Sequence, residues 1–237
     1  SDAPIGIFDS GVGGLTVANA LSELLPNEDL VYFGDTAHLP YGDKSPEAIQ
    51  NYSLGIAEYL IESHQVKAIL VACNSASAVA FKVLQERFGD VVPIFNVIDP
   101  VAKYIGLESG YTKVGVIGTR ATVSSKTYTN KIQELNAQVE VFSLTTPLLV
   151  PIIEEGLSST SISSSALRHY LSDDILKNIT NTDCVLMGFD PKIIFKGYSD
   201  KVEITENNNF FTLFNNVFSK LNSLFCFLVS NNLSNFH

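Results

Sequence analysis

The sequence predicts an α/β protein made of two doubly wound lobes, each built on a mostly parallel sheet. Three observations carry that reading. Short apolar runs of strand length alternate with stretches whose apolar residues recur every three or four positions, the rhythm of βαβ units. The rhythm runs to residue 97 and restarts at residue 114. Polar or glycine-containing clusters follow directly after several of the apolar runs, where open parallel sheets bind their ligands.

In chain order, residues 4–8, 30–33, 68–72 and 93–97 are expected as strands, because each is a continuous apolar segment. Residues 15–25, 46–64 and 76–88 have helical spacing. Ser45-Pro46-Glu47 puts a capping hydroxyl before a proline at the first helical position, and Asp35 and Asn74 are further helix-start candidates. In the second lobe, 114–118, 139–144 and 184–188 read as strands, and 123–135 and 163–179 as helices. The expected division is 1–98 with 206–237 in the first lobe and 99–205 in the second. Residues 207–237 contain nine Asn and seven Phe, no acidic residue and one Lys. Their apolar spacing (Phe210, Leu213, Phe214, Val217, Phe218, Leu221) allows one amphipathic helix returning to the first lobe. The alternative is an altered chain end, since this composition departs from the preceding 200 residues.

Composition bounds the function. The 237 residues are 46% hydrophobic and 17% charged, enough apolar material for a buried core and too much for a disordered chain. A net charge of −10, with no run of Lys or Arg, argues against a nucleic-acid binder. Cysteines at 73, 184 and 226 form no CxxC pair and have no His at ligand spacing, so neither a zinc site nor a disulfide framework is expected. With no signal-peptide pattern and no apolar run of ~18 residues, the expected location is the cytoplasm, away from membranes.

The strand ends hold the candidate chemistry. Asp9-Ser10-Gly11-Val12-Gly13-Gly14 could bring backbone N–H groups to an anion. It departs from a dinucleotide fingerprint at Thr16 and places the Asp9 carboxylate where a pyrophosphate would sit. Cys73-Asn74-Ser75 opens a helix, a position expected to lower a thiol pKa and favour thiolate, with Asn and Ser able to bond a small substrate. Pro40, Tyr41 and Gly42 lie in a loop after the second strand, where His38 reads as a surface residue. Gly118-Thr119-Arg120-Ala121-Thr122 repeats the strand–polar–helix arrangement, and Glu154-Glu155-Gly156 reads as a solvated helix end.

Together these segments resemble the cofactor-independent glutamate racemases. The resemblance rests on Ile5–Thr16, Gly34–Gly42, Ala72–Ser77, Gly115–Thr122 and Pro151–Gly156, and covers about residues 4–188. It implies two α/β domains with the active site in the cleft between them, no cofactor or metal, glutamate as substrate, and D-glutamate supply for peptidoglycan; a homodimer is left open. It makes Cys73 one of two catalytic thiols, with Asp9 and Glu154 assisting proton transfer. Asp9, Ser10, Pro40, Tyr41, Gly42, Asn74 and Ser75 would bind substrate, joined by Thr119 and Thr122 from the second lobe. Such chemistry needs two acid–base groups facing each other across the α-carbon.

One segment departs from the family pattern. Where the family carries Cys-Thr-His after the 184–188 strand, this chain has Phe189-Asp190-Pro191. Cys184 is a poor substitute, since five residues at ~3.3 Å each separate it from position 189. Cys226 lies in the altered tail. The alternatives are therefore an inactive homologue that binds glutamate or a protein partner, and a one-base enzyme.

Overall fold

The computed structural model describes residues 2–157, 160–170 and 184–187. These residues form two compact α/β units that divide between Val101 and Ala102.

In the first unit, β1 (Ile5–Asp9), β2 (Leu30–Gly34), β3 (Ala68–Val71) and β4 (Ile94–Asn96) form an all-parallel sheet of order β2-β1-β3-β4. The alternation of β1 sends Ile5 and Ile7 to one face, where they pack with Ala68, Leu70 and Ala72 against Leu21 of α1 (Leu15–Leu24). On α2 (Pro46–His64), Ile49, Ile56, Ala57 and Leu60 are buried, and this helix packs against β1 and β2. Ser45 accepts from the Ala48 N–H and Pro46 follows it, so the predicted start of α2 is the observed one.

The expected helix over 76–88 is two helices, α3 (Asn74–Val79) and α4 (Phe81–Phe88). Ala80, at φ −108°, ends one and begins the other. The cap of α3 is Cys73, whose sulfur accepts from the Ala76 N–H, and Asn74 is its first residue. Asp35 precedes a 3₁₀ turn (Thr36–His38) without capping it, because its carboxylate is bonded elsewhere. The loop expected at 36–42 contains this turn and a second one at Tyr41–Asp43.

A short helix, α5 (Asp99–Lys103), runs into a π-helical turn over Tyr104–Glu108. In the second unit β5 (Lys113–Gly118), β6 (Glu140–Thr145) and β7 (Cys184–Met187) form a parallel sheet of order β6-β5-β7. The helix expected over 123–135 is split into α6 (Arg120–Ser124) and α7 (Thr127–Leu135) by Lys126, which is left-handed at φ 57°. The helix end read at Glu154-Glu155 is the end of α8 (Leu149–Glu154), whose start, directly after a Pro-containing turn, the sequence does not signal. The last described helix, α9 (Ser161–Tyr170), overlaps the expected 163–179 helix; positions 171–179 and 207–237 lie outside the described residues. No helix among the described residues is long and apolar enough to cross a membrane.

Candidate active site

In each unit the first strand is flanked by the second on one side and the third on the other. The chain therefore reverses its winding beside β1 and again beside β5, the switch points where open α/β sheets hold ligands. At the first, Phe8 of β1 is paired with Val71 of β3. Two residues further along each strand stand Ser10 and Cys73, and the Cys73 thiol donates to Ser10 Oγ at 3.6 Å.

Cys73 is 5% exposed. The thiol is pushed up from 9.0 to about 12, first by burial and second by the charge of Asp9. Bonds from the Ala76 N–H and from the Ser10 hydroxyl and N–H pull the other way and are outweighed. The expected lowering at a helix start is thus reversed. A six-residue helix contributes less than the removal of water from the sulfur.

Asp9, at the end of β1, is buried and accepts from the Gly11 N–H through Oδ2 at 2.9 Å. Gly14 makes room for this carboxylate: a Cβ there would lie 2.7 Å from Asp9 Cβ and 2.9 Å from Ala72 Cβ. The Asp35 N–H donates to the Asp9 carbonyl, tying the loop after β2 to β1. Asp35 is itself buried, and its carboxylate receives the Tyr41 hydroxyl at 2.6 Å and pairs with His38 Nδ1 at 2.8 Å. His38, read from the sequence as an ordinary surface residue, stacks on Tyr52 with ring centroids 4.0 Å apart while its side chain remains 45% exposed. Burial, then the bond to Asp35, raise the Tyr41 phenol strongly, with smaller contributions from Cys73 and Asp9.

The structure therefore gathers Asp9, Ser10, Tyr41 and Cys73 into one neighbourhood. Gly42 is buried beside Tyr41, and Pro40 is exposed and follows a cis peptide bond. Asn74 and Ser75 form the first turn of α3, which packs against the Tyr41–Asp43 turn. Tyr32 joins this set and was missed in the sequence, where it reads as one more aromatic residue of a strand; its hydroxyl donates to the Gly11 carbonyl at 2.9 Å.

Thr119, Thr122 and Glu154 belong to the second unit. Thr119 caps α6 by accepting from the Thr122 N–H, and its hydroxyl donates to Thr122 Oγ1 at 3.1 Å. Glu154 is exposed at the end of α8, just before Gly156 in the left-handed region at φ 68°. The ladder of this unit repeats the first: Ile117 pairs with Met187, as Phe8 pairs with Val71. Thr119 and position 189 therefore follow their paired residues by the same two steps as Ser10 and Cys73. Phe189, Asp190, Pro191 and Cys226 lie outside the described residues. Cys184 pairs with Val114, at the opposite end of β7 from Met187. Among the described residues there is no group of three or more His, Cys, Asp or Glu that could hold a metal ion.

The model of one protein family, Asp/Glu/Hydantoin racemase, matches residues 13–188. The chain is 46% identical over 168 residues to a glutamate racemase of Geobacter metallireducens, covering 71% of this chain and 61% of that protein. It is 40% identical over 185 residues to the glutamate racemase of a Sulfurihydrogenibium species, covering 78% and 69%. The chain thus spans about three fifths to two thirds of the length of these relatives. Among solved structures, glutamate racemase from Francisella tularensis in complex with D-glutamate superposes with a TM-score of 0.80 at 34% identity, covering 98% of this chain and 83% of that one. The Thermus thermophilus glutamate racemase in complex with β-chloro-D-alanine has a TM-score of 0.69 at 40% identity, covering 84% and 70%.

Proposed function

The chain belongs to the Asp/Glu/Hydantoin racemase family, and on that premise we propose that it binds glutamate and moves the proton on its α-carbon without a cofactor, the chemistry that interconverts L- and D-glutamate. The observation that carries the reading is the Cys73 thiol against Ser10, under the charge of Asp9, at the switch point of the first sheet. Residues 1–98 with 206–237, and 99–205, are taken as the two lobes. Asp9, Ser10, Pro40, Tyr41, Gly42, Asn74 and Ser75 hold glutamate from one lobe. Thr119 and Thr122 hold it from the other, where Glu154 assists proton transfer.

The raised thiol pKa gives substrate binding a chemical role. At neutral pH Cys73 keeps its proton, because burial and Asp9 both oppose thiolate. An α-ammonium seated against the Asp9 carboxylate would cancel that repulsion, and the donors of Ser10 and Ala76 already favour the anion. The thiol proton passes to solvent as the substrate seats, and Cys73 thiolate then takes the Cα proton, becoming a thiol again. The electron pair left on Cα spreads into the α-carboxylate, where the Ser10 and Asn74 side chains are the donors at hand.

Inversion needs a second proton donor on the opposite face. Phe189, where the family carries a cysteine, has no acid–base group, and this favours a second reading: proton exchange from one face, with inversion very slow. On the racemase reading the cellular role is the supply of D-glutamate for peptidoglycan in the cytoplasm, with a homodimer left open. The test is to incubate each enantiomer of glutamate separately in D2O, following Cα deuteration by NMR and inversion by chiral chromatography. Deuteration with inversion supports the racemase and deuteration without inversion the one-base enzyme. If neither enantiomer exchanges and calorimetry detects no binding at millimolar glutamate, the proposal fails.

A further inference from the structure

We propose that Tyr32 is a positioning residue that holds the Gly11 carbonyl so that the preceding Ser10 faces the Cys73 sulfur. The role rests on the reading of Cys73 as the group that handles the Cα proton. Gly11 is held through the peptide groups on both of its sides: its N–H donates to Asp9 Oδ2 at 2.9 Å, and its carbonyl receives the Tyr32 hydroxyl at 2.9 Å. Ser10 lies between Asp9 and this doubly held residue, and its hydroxyl is the acceptor of the Cys73 thiol at 3.6 Å. A strand aromatic thus reaches the sulfur through one glycine and one serine.

Two glycines keep that contact possible. A Cβ at Gly34 would fall 2.5 Å from the Gly11 carbonyl oxygen and 3.4 Å from Tyr32 Cε1. A Cβ at Gly14 would fall 3.0 Å from the Tyr32 hydroxyl, besides striking Asp9 and Ala72. The space around the phenol and its acceptor is therefore cleared from both sides by the only residue type that fits. The Tyr32 ring packs on the core cluster beneath α1, which fixes where its hydroxyl can point. Burial, then Asp9 and then Cys73 raise the phenol strongly, so Tyr32 stays a neutral donor across the ordinary pH range. Its charge does not enter the site; only its hydrogen bond does.

The direction of the effect follows from Ser10. The Ser10 hydroxyl and N–H are two of the three groups that favour Cys73 thiolate. A loop freed at the Gly11 carbonyl loses part of that support, so thiolate becomes scarcer. The experiment uses the full chain and measures modification of Cys73 by iodoacetamide between pH 7 and 10, with the labelled peptide resolved by mass spectrometry. Tyr32→Phe is expected to slow Cys73 labelling about 3- to 10-fold, the equivalent of one modest hydrogen bond. Ser10→Ala is expected to slow it comparably, and adding Tyr32→Phe to Ser10→Ala to slow it by less than in the parent, because only the position-10 N–H is then left to misplace. Labelling of Tyr32→Phe at or above the parental rate overturns the proposal, as does an equal slowing in the Ser10→Ala background. Should Tyr32→Phe fail to fold, 3-fluorotyrosine at position 32 keeps the ring and donates more strongly; it must label at least as fast as the parent, and slower labelling overturns the proposal. In the exchange assay Tyr32→Phe should lower kcat with KM within about twofold. A chain that shows no glutamate exchange at all removes the functional reading, while the thiol measurement still decides whether Tyr32 positions Ser10.

Discussion

The Tyr41 hydroxyl donates to Asp35 Oδ2 at 2.6 Å, and both residues are buried. With His38 Nδ1 also on this carboxylate, Asp35 is supplied with donors from two successive turns of one loop. Tyr41→Phe removes the more buried of the two. The cost should be about 1.5–3 kcal/mol, as for a hydrogen bond to a charged group. Urea unfolding of the parent and the variant measures it, and a loss below about 0.5 kcal/mol would count against the bond.

Cys73 makes stability depend on pH at the alkaline end. Its folded pKa is raised from 9.0 to about 12, so below pH 9 folded and unfolded chains both hold the proton. As pH rises through this window the unfolded chain releases it first, the folded state binds more protons, and stability falls. The parent should therefore lose more stability between pH 9 and 11 than Cys73→Ala does. Equal slopes for the two proteins would contradict the raised pKa.

Two glycines should respond in opposite directions to the same change. Gly14→Ala puts a methyl within 2.7 Å of Asp9 Cβ and should destabilise by about 1–3 kcal/mol. Gly55 lies inside α2 with nothing within 4 Å of its would-be Cβ. Gly55→Ala should stabilise by about 0.5–1 kcal/mol, because alanine loses less backbone freedom on entering a helix. Denaturant midpoints of the pair check both signs at once.

Restoring the family motif tests the proposed function from its weakest side. Phe189→Cys, Asp190→Thr and Pro191→His together should raise the rate of glutamate inversion at least ~10²-fold over the parent, the ordinary worth of one positioned acid–base group. A parent that already inverts glutamate at an enzyme-like rate would show that another residue is the second base.

Strand and helix types in the first unit were legible because its apolar runs and its Ser45-Pro46 cap act locally. The breaks at Ala80 and Lys126 were not, since neither residue is a helix breaker by type and the backbone there answers to packing. In the site, Asp9, Ser10 and Cys73 were readable from their places at strand ends. The state of Cys73 was misread because position in a helix is visible in a sequence, whereas burial beside a carboxylate is not. Tyr32 reads as one more strand aromatic and Asp35 only as a helix start for a related reason. Their significance lies in hydrogen bonds to residues far away in sequence or inside a loop, and no local pattern announces those.

The four strands of the first sheet are complete by Asn96, and every described partner of the Cys73 sulfur comes from Asp9 to Ala76. During synthesis, the residues from Asn96 to Cys184 take about 4–18 s to add at ordinary ribosomal speeds. The first sheet can thus assemble around its thiol well before the third strand of the second sheet exists. A change of sequence beyond β7 reaches the molecule late, when these early contacts are available to be in place. The residues that surround the Cys73 sulfur are in this way all made before β7.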